Sequence, residues 1–162
     1  MQSSTFKSKR KTFAYCQTIN AIPDKIFPLL CPVRETEWLD GWHYNMIYSE
    51  SGRVEEGAVF STSQESEEDT IWIVTKHDPQ EYAVDFARFT PDSRTCVLTI
   101  KVRPKEDQQS YVDIAYAYTG LSPEGNVFID EFTEDQFLTA VVFWERSMNY
   151  FLETGEILRK KT

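Results

Sequence analysis

Apolar and polar positions alternate along most of this chain, and the period of that alternation changes twice. Over 9–20, Phe13, Tyr15, Gln17 and Ile19 fall on one face and Thr12, Ala14, Cys16 and Thr18 on the other. That period of two predicts a long, half-buried first strand. Pro23 then suits a first helical position and Asp24 complements the positive end of a helix dipole. Pro28 removes an internal hydrogen bond, so this helix must be short or kinked. Cys31-Pro32 restarts the chain, and a second short helix is expected over 33–39, before Gly41. Period two returns at Trp42, Tyr44, Met46 and Tyr48, which alternate with His43, Asn45 and Ile47 up to a turn at Ser51-Gly52. Further strands are expected over 58–64, 70–76, 82–89, 95–103 and 111–119. An acidic, solvated connection (Glu65 to Asp69), a turn at His77-Asp78-Pro79-Gln80 and a polar loop at 104–109 separate them. The first eight residues are polar and read as frayed.

The C-terminal third changes to a helical period. Thr133 and Gln136 have the spacing of a capping box, and Phe132 and Phe137 that of a hydrophobic staple. A helix started there can run over 134–154 and stop at Gly155, which tolerates the left-handed conformation that ends helices. At ~1.5 Å per residue it is about 31 Å long. Phe137, Val141, Trp144, Met148 and Phe151 form its apolar stripe. The fold class is therefore α+β. One domain over 1–162 has a seven-stranded, bent antiparallel sheet, two short helices after the first strand and a long C-terminal helix.

Charge and cysteine usage narrow the function. Twenty-six acids against 17 Lys and Arg give a net charge of −9 and a pI near 4.7, a surface that repels phosphate backbones and argues against nucleic acid as a partner. No apolar run approaches the ~20 residues of a membrane span, and the N-terminal residues lack the apolar stretch of a signal peptide. Cys16, Cys31 and Cys96 are scattered, as in a protein of the reducing cytoplasm. His43 and His77 share no metal-ligand spacing with them, and no glycine-rich phosphate loop or nucleophile elbow occurs. Neither a metal nor a cofactor is expected.

The order of elements, together with Ile19-Asn20-Ala21-Ile22-Pro23-Asp24-Lys25-Ile26-Phe27, Tyr116-Ala117-Tyr118-Thr119-Gly120-Leu121 and Tyr150-Phe151-Leu152-Glu153-Thr154-Gly155, resembles the helix-grip fold. That is the fold of the START-like superfamily, also called SRPBCC, with its Bet v 1-type proteins and polyketide cyclases. The segment from Cys31 to Trp42 is similar to that of an uncharacterised bacterial subgroup. The resemblance implies an apolar cavity between the sheet and the terminal helix for lipids, polyketides or other small molecules. It carries no catalytic signature, and fold alone does not choose a function.

With 11 Phe, 8 Tyr and 4 Trp, the interior can be either fully packed by rings or left with a ring-lined hole. In the second case Tyr44, Met46, Tyr116, Tyr118, Trp144 and Met148 line the cavity, and Trp38, Leu39 and Trp42 either cap its mouth or cover the sheet edge. Arg88 falls on the face of Tyr82, Val84 and Phe86. It either meets a carboxylate or acidic ligand inside or snorkels to water from the strand's end. Asp85 and Asp113 fall on the opposite faces of their strands, and Glu145 is expected to point outward. Three functions fit: a binding or carrier protein for a small apolar or amphipathic ligand, an aromatase/cyclase-type enzyme, or a packed interaction module or homodimer. No inward-facing acid or histidine stands out as a general base.

Overall fold

The computed structural model describes residues 5–63 and 69–161. Seven strands form one antiparallel sheet, in the order β1-β7-β6-β5-β4-β3-β2. They are β1 (Arg10–Ile19), β2 (Asn45–Tyr48), β3 (Val59–Thr62), β4 (Thr70–Asp78), β5 (Ala83–Thr90), β6 (Arg94–Lys105) and β7 (Gln109–Gly120). The long helix α4 (Glu134–Thr154) packs against β1. Its N-terminus carries the expected capping box, with Thr133 Oγ1 accepting from Gln136 N at 3.1 Å and Gln136 Oε1 accepting from Thr133 N at 2.9 Å. Gly155 ends the helix at φ 76°.

Between β1 and β2 the chain forms α1 (Pro23–Ile26), a 3-10 turn over Phe27–Leu29 that contains Pro28, and α2 (Pro32–Glu35). Both prolines at helix starts sit where the missing N–H costs nothing. The second helix is shorter than the expected span to Leu39: Thr36 to Trp38 continue as turns, and Leu39 instead pairs with Leu158. The strand expected from Trp42 begins only at Asn45, and a register shift between Met46 and Tyr48 breaks its alternation, leaving Tyr48 exposed. Of the strand expected over 58–64, Val59–Thr62 is formed, and Gln64 lies outside the described residues, as does most of the acidic connection, 65–68.

A helix absent from the sequence reading, α3 (Pro123–Glu131), fills the corner between β7 and α4. Its start is local and legible: Ser122 Oγ accepts from Gly125 N at 3.0 Å and Pro123 occupies the first turn. Gly125 is required by a close approach, since a Cβ there would lie 1.7 Å from the Ser93 carbonyl oxygen. The chain before β1 is held at this corner. Ser8 Oγ donates to Gly120 O at 2.5 Å, and Asn126 Nδ2 donates to Lys7 O at 2.9 Å.

Two devices join α4 and the segment after it to the rest. Glu145, expected to face outward, faces β1 and accepts from Tyr15 Oη at 2.8 Å and Thr18 N at 2.6 Å. Beyond Gly155 the chain returns over the turn that follows α2. There Asp40 accepts from Lys160 N at 2.9 Å and Arg159 Nη1 at 3.0 Å, beside the Leu39–Leu158 bridge. These donors hold the Asp40 carboxyl below its ordinary pKa.

Two substitutions test this frame by chemical denaturation. Thr133→Ala should cost about 1 kcal/mol, because an N-terminal amide of α4 loses its acceptor. Gly125→Ala should lie at the upper end of about 1–3 kcal/mol, because its methyl meets backbone rather than a yielding side chain. An unchanged midpoint in either would show that the corresponding contact is not formed.

Candidate functional site

Strand register decides which side chains meet on the inner face. Successive cross-strand partners link Met46, Phe60, Trp72, Arg88, Cys96 and Tyr118 in one row across the sheet. The adjacent row joins Val74, Phe86, Leu98, Tyr116 and Phe13. Rows of one parity face the same side of the pleat, and these are buried or half-buried throughout.

Arg88 is the charged member of the row within the sheet; the row ends at a second charge, Lys11, on the edge strand β1. Its guanidinium carbon lies 5.0 Å from the ring centroid of Trp72, 5.5 Å from that of Tyr118 and 5.6 Å from that of Tyr116. Nη2 donates to Tyr118 Oη at 2.6 Å. Among the described residues no carboxylate stands within ion-pair distance of it. Of the two fates left open by the sequence, the guanidinium takes the interior one, with aromatic faces in place of a carboxylate. Trp72 is fixed in turn by Nε1 donating to Thr62 Oγ1 at 2.9 Å.

Opposite the sheet, Trp38 and Trp144 stack at 6.2 Å. Trp38 is fully buried and donates from Nε1 to Leu29 O at 3.0 Å, so it belongs to the core and caps no mouth. Trp42 donates from Nε1 to Pro32 O at 2.9 Å and rests edge-on against Phe60 and Trp72. Trp144 Nε1 is buried and finds no partner among the described residues.

The sequence reading missed Glu35. It ends α2 and lies three residues before Trp38, hence on the same side of that turn. Its carboxyl lies deep within the protein, and burial pushes its pKa up to about 8. It sits close enough to Tyr116 to help raise that phenol, although burial is the main cause there. Glu35, Arg88 and Tyr116 are half-buried. Arg88 is a fixed positive charge on the inner sheet face, and burial makes Glu35 hold its proton to higher pH than an ordinary carboxyl.

Of the expected site residues, Arg88, Tyr116 and Tyr118 meet in one cluster, with the Tyr116 and Tyr118 rings 6.1 Å apart. Met46 lies two strands from Trp72 along the row, and Tyr44 touches the row through Phe60, 6.5 Å between centroids. Trp144 and Met148 stand on α4, and Met148 is wholly enclosed. Two surface concavities lie elsewhere. One of about 450 Å³ spans the outer sheet face near Cys16, Asp85, Thr99 and Asp113, and one of about 440 Å³ lies between Lys25 and Gln109. The outward placement of Asp113 holds, since it pairs there with Arg103 at 2.5 Å. Among the described residues no group of three or more His, Cys, Asp or Glu side chains is arranged to hold a metal ion, and no helix is long and apolar enough to cross a membrane.

No protein-family model matches the chain, and no curated protein is significantly similar to it in sequence. Solved structures are similar over nearly its whole length. Norcoclaurine synthase from Thalictrum flavum, in complex with dopamine and hydroxybenzaldehyde, superposes with a TM-score of 0.65 at 12% identity, covering 99% of this chain and 100% of that one. Ara h 8.0201 gives 0.62 at 11%, covering 90% and 100%. DynU16, from the dynemicin biosynthetic locus, gives 0.61 at 14%, covering 90% of this chain and 48% of that one. This chain has the START-like, Bet v 1-type helix-grip fold. At such identities the likeness is one of fold, and the helix-grip chain's own side chains must carry any functional reading.

Glu35 makes a prediction of unusual sign. Its folded pKa lies above its unfolded value near 4.5, so between about pH 4.5 and 8 the native state holds more protons than the unfolded one. Its contribution is present at low pH and is lost as pH rises toward 8. Glu35→Gln should therefore stabilise the protein at pH 8 more than at pH 5 in denaturant titrations, and equal effects at both would place the carboxyl in water.

Proposed function

We propose that this helix-grip chain binds a small apolar or amphipathic molecule between the sheet and α4, and that the molecule carries a carbonyl or carboxylate at one end. The observation that supports this is the Arg88 guanidinium, held inside by three aromatic rings and a phenol with no carboxylate partner among the described residues. A buried cation without a counter-charge is costly, and an acidic or carbonyl ligand supplies the missing acceptor. Trp72, Tyr116 and Trp144 would take the apolar body, with the wholly enclosed Met148 packed behind them, which gives orientation from few polar groups in an apolar pocket. The norcoclaurine synthase complex with dopamine and hydroxybenzaldehyde adds that the fold admits small aromatic molecules bearing oxygen. The free Cys16, Cys31 and Cys96 suit a reducing compartment, and we place the protein in the cytoplasm.

Decanoic acid and decanol titrated against tryptophan fluorescence test the reading. Both should bind, and Arg88→Ala should weaken decanoic acid about tenfold or more while changing decanol little, since only the acid loses a charge-assisted bond. Equal weakening of both would make Arg88 a structural residue. Binding of neither would favour a ring-filled core or an association module.

A further inference from the structure

The outward face of the sheet carries an apolar stripe. Val59, Ile73, Ala87, Val97, Ala117 and Thr12 form one outward row across six strands, and none is charged. Ser61, Ile71, Phe89, Thr95 and Thr119 form the row beside it, uncharged until Arg10 at the edge. Ile73, Phe89 and Val97 are 42%, 41% and 45% exposed. A sheet packed on a core by one face normally turns polar side chains outward on the other. Contiguous apolar surface in that place marks an interaction site.

Charge identifies what covers it. On the other side of the stripe, Lys76, Asp85, Lys101 and Asp113 stand on β4, β5, β6 and β7 and line the outer hollow of about 450 Å³. Register sets Lys76 opposite Asp85 and Lys101 opposite Asp113. Across the four strands the signs run positive, negative, positive, negative. That series is complementary to its own reverse, and a two-fold axis along the strands between β5 and β6 performs the reversal. It brings Lys76 of each copy to Asp113 of the other, and Asp85 to Lys101. The four charges sum to zero on a chain of net −9, so two copies meet here without opposing their excess charge. Asp113 already holds Arg103, and Lys101 reaches Glu81 at 3.3 Å. Such exposed pairs are weak and re-form across an interface at little cost.

We propose that this chain forms a homodimer by packing the outer faces of two sheets across that axis. The same operation fits the stripe to itself by size. Ile73 falls over Ala117 and Val97 over Ala87; in the next row, Ile71 falls over Thr119 and Phe89 over Thr95. Each larger side chain meets a smaller one, which lets two sheets interdigitate at the ~10 Å separation of face-to-face packing. The hollow, floored by Ala14, Thr99 and Ala115, receives the second copy's Lys76 on its way to Asp113. The stripe lies on the face away from Arg88, so the interface is independent of the binding reading and leaves the inner face to a ligand.

Sedimentation equilibrium of the full chain, carried to about 100 µM, tests this, since interfaces of standard size dissociate in the micromolar range or below. The expected mass is twice 18.9 kDa. Val97→Glu sets a charge in the middle of the stripe and should weaken the dimer at least about a hundredfold. Asp85→Lys sets like charges against Lys101 of the other copy and should weaken it at least about tenfold. Adding Lys101→Asp to that variant restores opposite signs across the axis and should recover most of the loss. Cooperative urea unfolding checks the fold of each variant, and Ile73→Glu takes the place of Val97→Glu should the latter lose it. A wild-type chain that stays monomeric, leaving the stripe to another kind of partner, overturns the proposal. So does a dimer unmoved by a charge in the stripe, or a double variant no tighter than Asp85→Lys.

Discussion

The interior of this protein is organised around a positive charge that has been taken out of water. Arg88 cannot shed its proton, so the surroundings must replace its hydration. They do so with three ring faces and one phenol oxygen rather than a carboxylate. Much of the neighbouring architecture follows from that requirement. Trp72 is pinned by Thr62, Tyr118 leans on Phe128 and Phe132, and Tyr116 meets Phe137 edge-on at 5.0 Å. The aromatic richness of the chain is therefore spent partly on satisfying a charge, with packing as its second use.

Burial also sets the behaviour of Glu35. Without a cation at contact distance, Glu35 gains nothing from ionising and retains its proton well above the usual carboxylate range. Had Arg88 and Glu35 formed an ion pair, each would have satisfied the other; among the described residues neither has a partner of opposite charge.

How much of this could be read from the sequence divides along a physical line. Features fixed by neighbours in the chain were legible. The Thr133–Gln136 cap, the left-handed stop at Gly155, the hairpins of β4 to β7 and the inward face of Arg88 all depend on residues a few positions apart. Features fixed by register across strands were not. That Trp72 and Tyr118 would flank Arg88 depends on pairing between strands many residues apart. Glu35 was hidden because the helix expected through to Leu39 stops at Glu35 itself, and a four-residue helix gives no periodic stripe from which to read a face. Helix α3 is the exception. Its start signal, Ser122-Pro123, is local, but its nine residues carry a weaker apolar stripe than the capped helix that follows.

The clasp formed by the C-terminal segment has a kinetic meaning. Leu158 lies along Leu39, and Arg159 and Lys160 close on Asp40, immediately after the turn that carries Glu35 and Trp38. On the binding reading proposed above, a molecule that passed on this side would wait for two exposed polar contacts and one short bridge to part. Such contacts are weak individually and sensitive to salt. Residence time inside would then be governed by how often the chain's own end lets go, while affinity is decided elsewhere, among the rings. Ionic strength would change how quickly the occupant is exchanged and leave nearly untouched how tightly it is held.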